Sequence, residues 1–213
     1  AEPGIQTRYL HHEQACAIAA EGYARTTGVP ALVQVTAGPG SLNALNGVFG
    51  AYTDSVPMIV VSGQVRTDTL VTRMGPEGLR QLGDQELRTV EVVRPIAKWA
   101  EQAGTSEDVP ALVDAAWIAA TTGRPGPAWL DVPINVQGAE VEADPTRPVP
   151  EPTLPAAESG SAHEVAVALR DARRPVILAG TGVRVAERSD ELVETAELLH
   201  VPIVTAWTHD LID

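Results

Sequence analysis

The chain has 213 residues, 44% of them hydrophobic and only 4% aromatic, with a formal net charge of −13. That length allows one large domain or one domain with part of another, and Val, Leu, Ile and Ala must build the core. The acidic balance repels phosphate backbones and anionic lipid, so it argues against nucleic-acid and membrane-surface partners.

No apolar run approaches the ~18 residues of a membrane span, and "AEPGIQTRY" has no signal-peptide core. The sequence opens without Met, so the expectation is that the true N-terminus lies upstream. A single cysteine, Cys16, excludes an internal disulfide and fits a reducing cytoplasm. It sits inside an apolar helical pattern and is read as inert packing.

The spacing predicts a first helix from Glu13 to about Thr26. Ala15, Ile18, Ala19, Gly22 and Tyr23 recur along one face, and Gly28 and Pro30 stop it. "ALVQV" (31–35) reads as a buried strand and "TAGPGS" (36–41) as a turn. In a second helix Leu42, Leu45, Val48, Phe49 and Tyr52 share a face and Ser41 is the N-cap. "PMIVVSG" (57–63) is a further strand. Helix, strand, helix, strand at this spacing gives a parallel sheet with crossover helices.

Residues 64–92 are polar and read as a loop followed by a helix over 79–92. "EDVPALVDAAWIAAT" (107–121) is a helix, with Thr105 and Asp108 placed for a capping box. "GRPGP" is a rigid turn and "AWLDV" (128–132) a strand. Residues 138–162 carry five prolines and read as a semi-extended linker. The α/β pattern then restarts: helix at 163–172, strand at 175–180, helix at 190–199, strand at 201–206. It stops after two strands, which rarely hold a fold alone. The chain is therefore expected to be a fragment, or to need contacts from elsewhere.

Several motifs invite chemistry. "TAGPG" lies between a strand and a helix, where open α/β sheets bind ligands. Pro39 donates no N–H, so the loop is a poor phosphate nest and a stiff wall that a flat ring can approach. A tight strand–helix turn explains the glycines equally well, and no Walker motif occurs.

Glu13 at a helix start is explained by the helix dipole, worth roughly 0.3–1 kcal/mol. His11 and His12 do not share a helical face and no H-E-x-x-H follows, so a metal site there is disfavoured. No G-x-S-x-G occurs. Gly180 and Gly182 in "AGTGV" lack the third glycine of a dinucleotide fingerprint and read as a tight turn.

Taken in order, "HEQACAIAAEGYARTTG", "VQVTAGPGSLNALNGVFGAYTDSVPMIVVSGQV", "RPIAKW" and "RPGPAWLDVPINVQ" resemble the pyrimidine-binding (PYR) domain of thiamine diphosphate enzymes of the acetolactate synthase / pyruvate oxidase group. "RRPVILAGTGV" with "ELVETAELLHVPIVTAW" resembles the start of that group's Rossmann-like central domain. The resemblance covers nearly the whole chain. It implies a PYR domain over 1–137 lacking its first strand and helix, a linker over 138–162 and the beginning of a central domain over 163–213.

The resemblance also implies what Glu13 is for. In that family the acid of H-E-Q hydrogen-bonds N1′ of the cofactor's aminopyrimidine, and the exocyclic nitrogen of the imino tautomer then removes the thiazolium C2 proton. The ylide attacks a 2-keto carbonyl, leading to decarboxylation, carboligation or both. Burial of such an acid raises its pKa. Pro39, Gly40 and Asn43 fall at the family's cofactor contacts, and His12 and Gln85 at substrate-facing positions.

Where acetolactate synthases carry Phe before this Gln, the chain has Asp84, an acid that would repel a second keto acid or favour a different substrate. Mg²⁺ and its ligands, with the pyrophosphate-binding domain, are expected outside residues 1–213. FAD in the central domain would mark an oxidase, and a simple decarboxylase or an oxalyl-CoA-type lyase are other activities of the group. A homodimer or homotetramer follows, because each site is shared between subunits. From a different class, a non-catalytic α/β nucleotide-binding or interaction module keeps the same fold.

Overall fold

The computed structural model describes residues 5–142, 144, 146, 148–151 and 161–205. The chain divides into two compact units, Ala1–Thr153 and Leu154–Asp213.

The first unit is built on a four-stranded, wholly parallel sheet. Its strands are β1 (Ala31–Val35), β2 (Met58–Gln64), β3 (Trp99–Gln102) and β4 (Pro127–Pro133), in the spatial order β1-β2-β4-β3. Every residue of β4 is buried, and β2 is nearly so. Such strands read as continuous apolar runs because both sheet faces are covered.

Helices α1 (Glu13–Thr27) and α2 (Pro39–Thr53) cover one face, where Ala17, Ala20, Ala44 and Val48 pack on Met58, Val60 and Trp129. The short helices α3 (Val71–Met74) and α4 (Thr89–Val93) follow β2. Helix α5 (Val109–Thr121) covers the other face, with Ala116 and Ala120 on Ile59 and Ala128. Met58 and Val60 thus face one layer and Ile59 the opposite one, as the two-residue period of a strand requires. The short helix α6 (Ile134–Gln137) closes the unit's last strand.

The predicted boundaries of the first two helices and of the strands at 31–35, 57–63 and 128–132 agree with α1, α2, β1, β2 and β4 to within a few residues. Gly28, in a left-handed conformation with φ 72°, ends α1 and donates to Ala24 O. The packed faces differ from the prediction. On α1 the buried residues are Ala17, Ala20 and Ala24, whereas Ile18 and Tyr23 are 46% and 51% exposed. On α2, Gly40, Ser41, Ala44, Gly47, Val48 and Ala51 are buried, while Leu42, Phe49 and Tyr52 are exposed.

The physical reason is close helix–helix approach. A Cβ on Gly47 would lie 2.6 Å from the Ala17 carbonyl carbon and Cβ, so only small residues fit at this crossing. Ser41 is not an N-cap. It lies inside α2 and its hydroxyl donates to Thr36 O at 2.9 Å, while Gly38 occupies the cap.

The helix predicted over 79–92 is replaced by bends and turns up to Arg88 and then α4. Glu86 explains this. Its carboxylate accepts from the backbone N–H groups of Val71 (2.7 Å), Leu82 (2.8 Å) and Gly83 (3.2 Å), so these donors are satisfied without a helix. The edge strand β3 had no prediction. Half of the expected capping box at α5 is present: Thr105 N–H donates to Asp108 Oδ2 at 3.0 Å. Pro150, within the predicted linker, accepts from Trp117 Nε1 at 3.1 Å and so belongs to the first unit's bonding. The linker's residues 152–160 lie outside the described ones.

The second unit holds α7 (Ser161–Asp171), β5 (Ile177–Ala179), α8 (Gly182–Val185), α9 (Ser189–Leu199) and β6 (Ile203–Thr205). The two strands are parallel, with Ile177 opposite Ile203. The predicted helix–strand–helix–strand order holds, apart from the added turn α8. The end of the strand predicted over 201–206, at Ala206, lies outside the described residues.

Candidate active site

Helices in a parallel α/β layer run against the strands, so the N-termini of α1 and α2 rise at the carboxyl ends of the strands, where such sheets bind ligands. His12 is the N-cap of α1. It has extended backbone, and its ring Nδ1 accepts from Gln14 N at 3.1 Å. The next residue, Glu13, is half-buried and opens the first turn.

The turn after β1 carries the second half of the site. Gly38 has φ 56° and ψ −112°, which suits glycine. Pro39 starts α2 at a position that needs no N–H donor. Gly40 N donates to Ala37 O, and Leu42 N to Gly38 O at 3.1 Å, which stiffens the turn.

Three of the predicted cofactor positions meet at one point. Asn43 Nδ2 donates to Glu13 Oε2 at 3.1 Å. A Cβ on Gly40 would lie 3.4 Å from Glu13 Oε1 and would overlap Thr36 Oγ1. One carboxylate oxygen is therefore held by Asn43, and the other lies beside the Gly40 backbone near the Thr36 hydroxyl. Pro39 stands between Gly38 and Gly40 on the same wall.

Gln85 packs against the other end of this wall. A Cβ on Gly38 would fall 2.5 Å from Gln85 O and 3.2 Å from Gln85 Cβ. Gln85 itself has φ 58°, a left-handed conformation rarely taken outside glycine. Asp84 and Gln85 are both exposed. His12 adjoins Glu13 at the helix start, and its ring is already engaged as the cap acceptor.

The electrostatics of Glu13 correct one expectation. Its carboxyl is held below the usual carboxylate range, first by its own backbone N–H and then by the Asn43 amide, with His12 adding a smaller pull. The upward shift implied by the resemblance needs desolvation. This chain's own residues leave Glu13 too open for that, and hydrogen bonds to the charged form win.

The arrangement suits the pyrimidine edge of thiamine diphosphate. The Asn43-bound carboxylate lies beside Gly40, where a side chain would meet both Glu13 Oε1 and Thr36 Oγ1, so only bare backbone fits next to the acid. A ring nitrogen bearing a proton is the complement of that carboxylate.

Sequence reasoning missed the polar groups behind the wall. Asp131, fully buried in β4, accepts from Ser62, Gln64 and Gln102. The signal was present, because a carboxylate inside the apolar run "AWLDV" is rare unless it is paired. Glu86 was likewise missed. Among the described residues no three His, Cys, Asp or Glu side chains cluster to hold a metal, and no helix is long and apolar enough to cross a membrane. At "AGTGV", Cβ atoms on Gly180 and Gly182 would meet nothing within 4 Å, so packing does not demand either glycine.

Known proteins resemble the chain over most of its length. A family model described as thiamine pyrophosphate enzyme, N-terminal TPP binding domain, matches residues 1–87, and one described as thiamine pyrophosphate enzyme, central domain, matches 162–211. The chain is 34% identical over 209 residues to the acetolactate synthase large subunit of Haemophilus influenzae, covering 95% of this chain and 35% of that protein. It is 36% identical over 205 residues to the acetolactate synthase large subunit of Lactococcus lactis, covering 95% and 34%. It is 36% identical over 201 residues to a probable acetolactate synthase large subunit of Methanocaldococcus jannaschii, covering 91% and 32%. The chain thus spans about a third of the length of these curated relatives. The chain belongs to the thiamine pyrophosphate enzyme family, matching its N-terminal TPP binding domain over 1–87 and its central domain over 162–211.

Proposed function

We propose that this chain is the pyrimidine-binding part of an acetolactate synthase-like, thiamine diphosphate-dependent enzyme that acts on a 2-keto acid by decarboxylation, carboligation or both. The observation that carries the reading is the Glu13 carboxylate, tied by Asn43 at 3.1 Å and lying against the Gly40 backbone. The relatives named above, whose names state acetolactate synthase, support the substrate class.

When bound, the cofactor supplies an electron sink for the carbanion chemistry of a 2-keto acid. The chain's own residues have narrower tasks. Glu13 accepts the proton-bearing edge of the pyrimidine and exchanges a proton with it. Asn43 fixes the Glu13 rotamer. Pro39 and Gly40 present a flat surface to the ring. Gln85 and His12 flank the place where substrate enters, with Asp84 setting the charge there.

In this reading residues 1–137 form the PYR domain, 138–162 a linker and 163–213 the opening of the central domain. Mg²⁺ would accompany the cofactor's diphosphate, and among the described residues no three His, Cys, Asp or Glu side chains cluster to hold it. FAD in the central domain would make the protein an oxidase of the same family, and flavin absorbance of the purified protein decides that. A homo-oligomer is supported by the exposed apolar side chains of α1 and α2, including Ile18, Tyr23, Leu42, Phe49 and Tyr52. A second subunit covering them would also desolvate Glu13 and lift its pKa. The proposed compartment is the cytoplasm.

The test is turnover by the intact protein with thiamine diphosphate, Mg²⁺ and pyruvate. Release of CO₂ that disappears in Glu13→Gln supports the reading, and acetolactate among the products identifies carboligation. Cofactor binding without any keto-acid decarboxylation across a substrate panel would contradict it.

A further inference from the structure

We propose that Asp131 is a positioning residue for this site: through Gln64 it fixes the 83–89 segment and thereby holds Gln85 against the Gly38 turn. The functional half of this inference rests on the thiamine diphosphate reading above.

The argument starts from a cost. A fully buried carboxylate without a cation is expensive unless hydrogen bonds satisfy it. Asp131 is 0% exposed in the middle of the sheet, and among the described residues its side-chain partners are hydroxyls and amides. Strand register aligns Ser62, Asp131 and Gln102 on three neighbouring strands. Asp131 Oδ1 accepts from Ser62 Oγ at 2.5 Å, and Oδ2 accepts from Gln64 at 2.9 Å and Gln102 at 2.8 Å.

The Ser62 hydroxyl is also oriented. Trp129 Nε1, which can only donate, gives its hydrogen to Ser62 Oγ at 2.8 Å. The Ser62 hydrogen is thus directed at Asp131, and the pattern is that of a carboxylate accepting three times.

Gln64 transmits the constraint. Its amide nitrogen donates to Asp131 on one side and to Leu87 O at 2.7 Å on the other, with Thr89 Oγ1 farther away at 3.5 Å. Its amide oxygen accepts from Val65 N at 2.9 Å. Both ends of the amide are committed, so its rotamer and its flip state are fixed. Leu87 lies two residues after Gln85, whose left-handed backbone needs its surroundings to hold it. Gln85 in turn fills the space that a side chain on Gly38 would take. Glu86 anchors the same segment from its other side. The links run without a break from the sheet centre to the wall of the site.

A merely structural carboxylate would loosen the sheet when altered. A positioning one would loosen 83–89 and leave the sheet intact. The experiment compares wild type, Gln64→Leu and Asp131→Asn in the intact protein, by hydrogen exchange of backbone amides and by steady-state kinetics with a 2-keto acid.

Gln64→Leu removes the link while leaving Asp131 two donors. Loss of one hydrogen bond of this kind is expected to speed exchange in 83–89 about tenfold. Peptides from β2 and β4 keep wild-type protection, KM rises about tenfold, and kcat changes less than about threefold. Asp131→Asn gives the same loop pattern. If it fails to fold, Gln64→Leu decides alone. Unchanged exchange in 83–89, or an equal rise throughout the sheet, overturns the proposal. Failure of the thiamine diphosphate reading has a separate signature: wild type would not exchange the cofactor's C2 proton, whatever the loop amides do.

Discussion

Asn43 Nδ2 lies 3.1 Å from Glu13 Oε2, joining the start of α2 to the start of α1 across thirty residues of sequence. This bond and the Glu13 backbone N–H together favour the charged carboxylate. Asn43→Ala removes one of the two donors, so the Glu13 pKa is expected to rise. A carboxyl ¹³C titration by NMR reads the shift, and an unchanged or lowered pKa would show that Asn43 does not hold Glu13.

The Gly38 turn gives a second prediction. An alanine there must adopt φ near 56° and place its Cβ 2.5 Å from Gln85 O. A left-handed non-glycine residue costs about 1–2 kcal/mol before any clash. Gly38→Ala is expected to displace Gln85 and raise KM for the keto acid, with the far face of the sheet unaffected. Hydrogen exchange in peptides spanning 83–89 and around α5 checks both halves.

The α1–α2 crossing is tight enough to be tested by one methyl group. Gly47→Ala sets a Cβ 2.6 Å from the Ala17 backbone, and overpacking of this kind costs about 1–3 kcal/mol. A lower urea midpoint with an unchanged denaturant slope is the expected result.

Asp131 predicts a pH signature. Burial pushes its carboxyl above the usual value of 3.8, against the opposing bonds from Ser62, Gln102 and Gln64 and the weaker pull of the nearby Thr89 hydroxyl. The folded state therefore holds this proton more tightly than the unfolded one. The associated stability is present below pH 3.8 and is lost as pH rises through the folded pKa. Asn at this position does not titrate. The stability deficit of Asp131→Asn is thus largest below pH 3.8 and shrinks as pH rises through the folded pKa, as denaturation at several pH values will measure.

The sequence conveyed the layers of this fold better than its packing. The strands at β1, β2 and β4 are dense in apolar and β-branched residues, and glycine and proline mark their ends, so local chemistry located them. Of the predicted α2 face Val48 is buried while Leu42, Phe49 and Tyr52 are exposed, and the packed face of α1 is rotated from the predicted one. Ala17, Ala20 and Gly47 are buried since the helices touch there, and that contact is tertiary.

The strand β3 is four residues of mixed polarity that, among the described residues, pairs with β4 alone, and such an edge has little local signature. The helix expected over 79–92 does not form before Thr89, because the Glu86 carboxylate supplies acceptors that hold the segment in turns. Glu13, the Pro39–Gly40 wall and Asn43 were legible as an ordered motif set, whereas Gln64 and Asp131 became visible only when strand register aligned them.

The central claim is that Glu13 activates the cofactor. Its most direct test is hydrogen–deuterium exchange at C2 of thiamine diphosphate, in the intact protein with Mg²⁺, for wild type and Glu13→Gln. A general acid–base partner of this kind contributes roughly a hundredfold or more, so fast exchange in wild type should fall by at least that factor in the variant. Equal rates in the two proteins would contradict the account and leave Glu13 with no task beyond the start of α1.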